Sequence, residues 1–254
     1  MKHLTALKSI AYREVKRVFR IWKQTILPSV VTSTLYFLIF WTFIGSQIKE
    51  VSGVPYIDFL VPGFIMMSLI TASYANVSSS FFGAKFQKSI EEILTAPIPG
   101  YIVIFGYVLG GIVRWLIISV IIYIVSLFFT HVPISDIFIT SLFILFTSSL
   151  FSLLGLFNAF FAKSFDDVNL IPTFIITPMI YLWWVFYSLS VLPPFWQYVS
   201  MLNPIYYMIN GLRYGFLWVT EVNPYLSLTA IIICNIVLFL VNKRMYEIGY
   251  GLKN

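Results

Sequence analysis

Four stretches of this 254-residue chain run for 25 residues or more without a single Asp, Glu, Lys or Arg: 24–48, 59–84, 137–162 and 168–212. A helix crosses the hydrocarbon core of a bilayer with about 20 apolar residues at a rise of about 1.5 Å each. Charged residues make up 10% of the chain and hydrophobic ones 59%, whereas a soluble domain carries roughly 25% charged residues. The charges are therefore too few to coat a soluble surface, and the chain is expected to be an all-α integral membrane protein. One cysteine, Cys234, lies inside an apolar run, which excludes a disulfide scaffold.

Further apolar stretches lie between Glu92 and Asp136, broken by Arg114 and His131, and between Val222 and Glu247, broken by Lys243 and Arg244. The run 168–212 is too long for one straight span. Pro172 and Pro178 are tolerable inside a membrane helix, but Pro193–Pro194 and Asn203–Pro204 break helices. Six spans are expected, near 25–46, 60–82, 103–129, 137–161, 168–189 and 223–242. An even number puts both termini on one side. Thirteen Lys and Arg residues fall on that side: seven before the first span, then Lys85, Lys88, Lys163, Lys243, Arg244 and Lys253. Lys49 and Arg213 fall opposite, and Arg114 is unassigned. The excess of positive charge on inner loops makes both termini cytoplasmic. It also accounts for the net +6 without a nucleic-acid partner.

Residues 1–24 contain seven Lys or Arg and no apolar core of a cleavable signal peptide. At 100° per residue, Leu7, Ala11, Val15, Val18 and Trp22 gather on one side, opposite Arg13, Lys16, Arg17, Arg20 and Lys23, with Glu14 at the apolar edge. This reads as an amphipathic helix on the inner leaflet. A plain basic flank would explain the charge but not the periodicity. From Tyr181 to Tyr225 the chain holds four of its seven Trp and seven of its 16 Tyr, the residues that favour headgroup depth. The segment near 192–220 is expected to re-enter the outer leaflet as two short helices broken at Asn203 and Pro204. A long loop on the lipid surface is the alternative, and Arg213 favours a place near water or phosphate.

Polar residues within the expected spans include Thr32 and Tyr36 in the first, Ser73 and Asn76 in the second, and Thr147 and Asn158 in the fourth. Small hydroxyl residues in hydrocarbon allow close helix packing or bond their own backbone. Their clustering on three spans equally marks those helices as candidates for a pathway or a dimer interface. Arg114 is the one firmly charged residue within a span, read as a structural charge reaching cytoplasmic phosphates or Asp166 and Asp167. The sequence has no phosphate-binding loop, no His or Cys cluster for a metal and no pair of intramembrane acids. No catalytic or metal site is therefore assigned, and the two histidines, His3 and His131, read as solvated.

Three motifs occur in order. YIDFLVPG (56–63) enters the second span, KSIEEILTAPIPGYIVIFGYVLGGIVR (88–114) leads into the third, and LPPFWQYVSMLNPIYYMINGLRYGF (192–216) precedes the last. Together they resemble the permease subunit of bacterial ABC type-2 transporters, and within that family the YadH-like subgroup, over nearly the whole chain. Where the family is often Gly-rich ahead of the Pro–Pro turn, this sequence has Trp183, Trp184, Tyr187 and Ser190.

The resemblance implies a transmembrane domain over 25–254 in the bacterial cytoplasmic (inner) membrane, with no cofactor of its own. ATP and Mg would come through a separate ABC ATPase subunit in two copies. A coupling helix near 86–96, carrying Lys88, Ser89, Glu91, Glu92 and Thr95, would dock on it. Taken without the family, those charges read equally well as a solvated face. The other implied partners are a second copy of the chain and membrane lipids. The aromatic, charge-poor interior suits an amphipathic, lipid-like or drug-like substrate of an exporter. The alternative is an ion-coupled secondary transporter or channel, against which the lack of intramembrane acids stands; a membrane-embedded enzyme would need a catalytic pair that the sequence does not offer.

Overall fold

The computed structural model describes residues 2–45, 48, 50–181 and 193–252. The chain begins with α1 (Lys2–Arg20), passes through the single turn α2 (Trp22–Thr25) into α3 (Leu27–Ile39), and closes α3 with a π-helical turn at Phe40–Ile44. A two-residue hairpin follows, β1 (Glu50–Val51) against β2 (Val54–Pro55). Ser52 and Gly53 turn it with φ of 54° and 79°, the left-handed pair that suits the twist of a tight hairpin. Next come α4 (Tyr56–Phe86), the short α5 (Ile90–Thr95), α6 (Gly100–Ser126) and α7 (Ile137–Phe161). Helix α8 (Phe165–Ile171) runs through a π-helical turn at Pro172–Ile176 into α9 (Thr177–Tyr181). The last three are α10 (Pro194–Met201), α11 (Pro204–Leu217) and α12 (Pro224–Ile248).

Local chemistry sets the starts of these helices. Asp136 accepts from the N–H groups of Phe138 and Ile139 at the head of α7, and Asn223 from Tyr225 and Leu226 at the head of α12. Asn203 caps α11 ahead of Pro204, whose missing N–H is harmless at a first helical position. Ser164 and Asp167 form a reciprocal capping box on α8.

Among the described residues five helices are long and apolar enough to cross a membrane: the Trp22–Phe43 run, α4, α6, α7 and α12. Helices α4, α6, α7 and α12 cover four of the expected spans, α7 over the expected residues and the other three with shifted ends. Helix α4 reaches four residues further at each end, and α12 continues past Lys243 and Arg244 to Ile248. The expected span at 168–189 starts as α8 and α9. Its remainder, with Trp183, Trp184 and Tyr187, lies outside the described residues, as does Ser190 just beyond it.

Helix α4 is the centre of the bundle. It packs on α7, α6, α11 and α3, and Leu60, Phe64, Leu69, Ile70 and Tyr74 have no exposed surface. The contact with α7 is close because Gly155 faces the α4 backbone: a Cβ there would sit 2.5 Å from the carbonyl oxygen of Tyr74. At the end of the bundle nearest α5, Phe81, Phe82, Ile90, Ile93, Val103, Leu156, Phe160 and Tyr246 form a second core.

Two charged residues occupy other places than their sequence context suggests. Arg213 is not at the protein surface; it is buried within α11, 1% exposed, with its guanidinium 3.5 Å from the centre of the Phe59 ring and Nε donating to the Phe59 carbonyl. Glu14 is not at an edge but in the middle of the buried stripe Ile10–Glu14–Val18. Leu4, Tyr12, Phe19 and Trp22 of the N-terminal segment stay exposed. Residues 3–24 thus pack against the bundle along one face and keep a second, apolar face outward.

Candidate functional site

The expected coupling segment resolves into two parts. Phe86 still belongs to α4, residues 87–89 turn with Lys88 at a φ of 58°, and the separate helix α5 starts at Ile90. Ile90 and Ile93, three apart and therefore on one face, are buried against the second core. Glu91, Glu92 and Thr95 are exposed, as is Lys88, and the Thr95 hydroxyl donates to the Glu92 carbonyl. The Ser89 hydroxyl donates back to the Ala84 carbonyl, fastening the turn to α4. Lys85 Nζ donates to the carbonyls of Phe160 and Ala162 at 3.0 and 2.8 Å, which ties the end of α4 to the end of α7. The N–H groups of Lys163 and Ser164 donate to Asp167 at 2.8 and 3.0 Å and hold its carboxyl below the usual carboxylate range. Glu91 and Glu92 are therefore presented on a short helix whose base is locked to the bundle.

A second feature opens between α3, α4 and α9. A cavity of about 230 Å³ is lined by Thr32 and Ser33 from α3, Ser68 and Thr71 from α4, and Thr177 and Ile180 from α9. The Ser33 and Ser68 hydroxyls lie 3.4 Å apart, and the Thr71 hydroxyl donates to Met67 of its own helix. No charged side chain lines the cavity. It can offer hydroxyl groups and apolar contact, and it has nothing to compensate the desolvation of an ion. The π-helical turn Pro172–Ile176 leads directly into the lining residue Thr177, a feature that recurs at functional sites.

The candidate pathway residues divide. Thr32 opens on this cavity, and Tyr36 stands one turn further along α3 with its ring stacked on Phe64, centroids 5.6 Å apart. Ser73, Asn76, Thr147 and Asn158 are not brought to it. All four are buried between helices, at 0, 1, 0 and 6% exposure. Asn158 donates to the Val168 carbonyl, while the backbone and side-chain carbonyls of Asn76 accept from Arg17. Arg114 is buried and donates to the Thr25 carbonyl at 3.2 Å, not to Asp166 or Asp167, which are exposed and half-buried at the head of α8. The sequence carried no sign that Ser33, Ser68 and Thr177 would meet. Their only mark was membership of the same polar-residue class as Thr32.

No group of three or more His, Cys, Asp or Glu that could hold a metal occurs among the described residues. A bundle of long apolar helices with a charged short helix at one end and an uncharged hydroxyl-lined cavity is the build of a membrane transport protein. A model of the ABC-2 type transporter family matches residues 5–217, and the chain belongs to that family as a transmembrane subunit. The inner membrane transport permease YadH of Escherichia coli (strain K12) is 49% identical over 256 aligned residues, covering the whole of both chains. Nodulation protein J of Rhizobium meliloti (strain 1021) is 23% identical over 203 residues, 78% of each chain. Nodulation protein J of Rhizobium leguminosarum bv. viciae is 23% identical over 235 residues, 91% of each.

Proposed function

We propose that this chain is the permease of an ABC exporter in the bacterial inner membrane, moving an amphipathic, lipid-like or drug-like substrate with energy from a separate ATPase that docks on α5. The observation that carries the reading is the build of α5: two isoleucines hold it to the bundle and Glu91, Glu92, Thr95 and Lys88 face outward. A polar face on a firmly based short helix suits a charged protein interface better than lipid. In this reading α5 and both termini are cytoplasmic, six spans cross the membrane, and α10 with α11 re-enter from the outer side.

A second copy of the chain would cover an exposed line on α4. Thr71 and Ser79 are exposed there and Ala75 and Gly83 half-buried, on a helix otherwise deep in the bundle. Small residues four apart let a second helix approach closely in lipid. Two permeases with two ATPases then place the hydroxyl-lined cavity beside the line where the copies meet, with Thr32 and Tyr36 at the pathway. Ser73, Asn76, Thr147 and Asn158 serve packing. The uncharged lining favours an apolar or amphipathic substrate over a hydrophilic ion.

The test is charge reversal on α5. Glu91→Lys with Glu92→Lys should leave membrane insertion and thermal stability near native, because both side chains are exposed, while co-purification of the ATPase and its ATP turnover in the complex fall together. A doubly reversed protein that binds the ATPase and supports native turnover would sink the docking assignment.

A further inference from the structure

Helices α4 and α6 are the two legs of the hairpin that carries α5, and one buried carboxylate joins both legs to α1. Glu14 is 1% exposed. Its Oε2 accepts from the Ser80 hydroxyl of α4 at 2.6 Å and from Arg17 Nε at 3.3 Å, and its Oε1 accepts from the Arg13 guanidinium at 3.3 Å. The two arginines extend the grip. Arg17 donates to the backbone and side-chain carbonyls of Asn76 on α4, both at 2.8 Å. Arg13 donates to the Tyr107 hydroxyl of α6 at 2.8 Å. A buried carboxylate is costly unless it is paired and hydrogen-bonded, and here it holds both ion pairs and a hydroxyl.

The bed for this contact is cut into α6. A Cβ on Gly106 would lie 2.5 Å from Cγ2 of Ile10, and one on Gly110 would lie 2.5 Å from Cβ of Glu14. Two glycines four apart on α6 thus receive two residues four apart on α1, so that α1 seats in one register. Arg114, four residues beyond Gly110, continues the same face and donates to the Thr25 carbonyl of α2. From there the chain runs into α3, whose Thr32 and Ser33 line the cavity.

We propose that Glu14 is a positioning residue that pins α1 as a crossbar between the legs of the α5 hairpin, so that a displacement of α5 is passed through α1 and α2 to α3 and the cavity wall. This rests on α5 being the docking helix. Buried packed elements have discrete arrangements and do not deform continuously. Two legs clasped by one crossbar move as a unit where unclasped legs would shear. Arg114 then has a place in the same link, as the hold of α6 on α2.

The experiment uses the permease bound to its ATPase in lipid nanodiscs, with Cys234→Ser removing the native thiol. Spin labels go on Lys88→Cys beside α5, Val31→Cys on α3 and Ile233→Cys on α12, all exposed positions. Distances 88–233 and 31–233 are compared between the nucleotide-free and the ADP–vanadate-trapped states. The native protein should shift in both. Glu14→Gln should keep the 88–233 shift and reduce the 31–233 shift by about twofold or more, and Glu14→Asp, which keeps the charge, should recover part of it. Native-sized 31–233 shifts in Glu14→Gln overturn the proposal, as do equal losses in the Asp and Gln variants. Should Glu14→Gln fail to fold, Gly110→Ala displaces Glu14 without removing its charge, and a native 31–233 shift in that variant overturns the proposal equally. A native complex whose 88–233 distance does not respond refutes the docking assignment of α5, and the link through Glu14 with it.

Discussion

Helices α4 and α12 are both long enough to cross a membrane, and they use their residues in opposite ways. Helix α4 has the lowest mean hydropathy of the five candidate spans, yet 83% of its most apolar 18-residue window is buried inside the protein; the corresponding share of α12, far more apolar, is 22%. In water the more apolar helix would be the inner one. In lipid the chain tails are as apolar as leucine, so hydrophobicity does not drive a helix inward. What places α4 at the centre is shape and hydrogen bonding. Ser68, Ser73, Asn76 and Ser78 are small or paired enough to be enclosed, and α7 offers Gly155 against its backbone. Helix α12 turns Ile233, Ile236, Val237 and Leu240 outward and keeps Asn235 and Asn242 for its neighbour, donating to the Phe146 and Leu153 carbonyls of α7.

Four substitutions break or sharpen that contrast. The largest effect is expected from Gly155→Leu. Even its first side-chain carbon meets the Tyr74 carbonyl at 2.5 Å, so α4 and α7 must part, at about 3 kcal/mol or more. Loss of a monodisperse peak in detergent would be the readout, and a native melting temperature would show that the close approach does not matter. A matched pair comes next. Leu69→Ala on α4 removes a fully buried side chain and should cost about 2–5 kcal/mol by leaving a cavity. The same change at Leu240 of α12, 55% exposed, should cost below about 0.5 kcal/mol. Thermal melts followed by tryptophan fluorescence compare the two directly, and equal shifts would refute the placement of α12 at the lipid edge. A loss nearly as small is expected for Asn242→Leu, which removes the bond to the Leu153 carbonyl at 3.0 Å while raising the hydropathy of α12. Hydrogen bonds of this kind in membrane bundles average about 0.6 kcal/mol, so the melting temperature should fall slightly. A rise would mean that α12 is held by apolar contact alone.

The contrast also separates what could be read along the chain from what could not. The places of α6, α7 and α12 were legible because a span depends on a local run of apolar residues, and the caps Asp136 and Asn223 stand immediately before their helices, though α12 runs six residues past its expected end. The exposure of Lys88, Glu91 and Glu92 was legible from their charge, while the short helix that carries them was implied by the family resemblance. The centrality of α4 was not, since its hydropathy points the other way. Nor was the fate of Glu14. Helical periodicity put it at the rim of an apolar face oriented to lipid, but its partner Ser80 is 66 residues away, and Asn76 and Tyr107, which accept from Arg17 and Arg13, are 59 and 94 residues from those arginines. Arg213 misled for the same reason, because the Phe59 ring that covers it is 154 residues distant. Thr32 was marked as a pathway candidate together with Asn158, and only folding separated the one in the cavity wall from the one wedged against α8.

Sequence alone determined that this chain lives in a membrane and where long apolar helices run. Those properties follow from local hydropathy and from side chains within a turn or two of each other. Tertiary structure decided which helix is enclosed, where the cavity opens and how Glu14 ties α1 to the legs of the α5 hairpin. Contacts between helices in lipid depend on fit and on paired polar groups brought together from distant parts of the chain, and no local average of hydropathy encodes either.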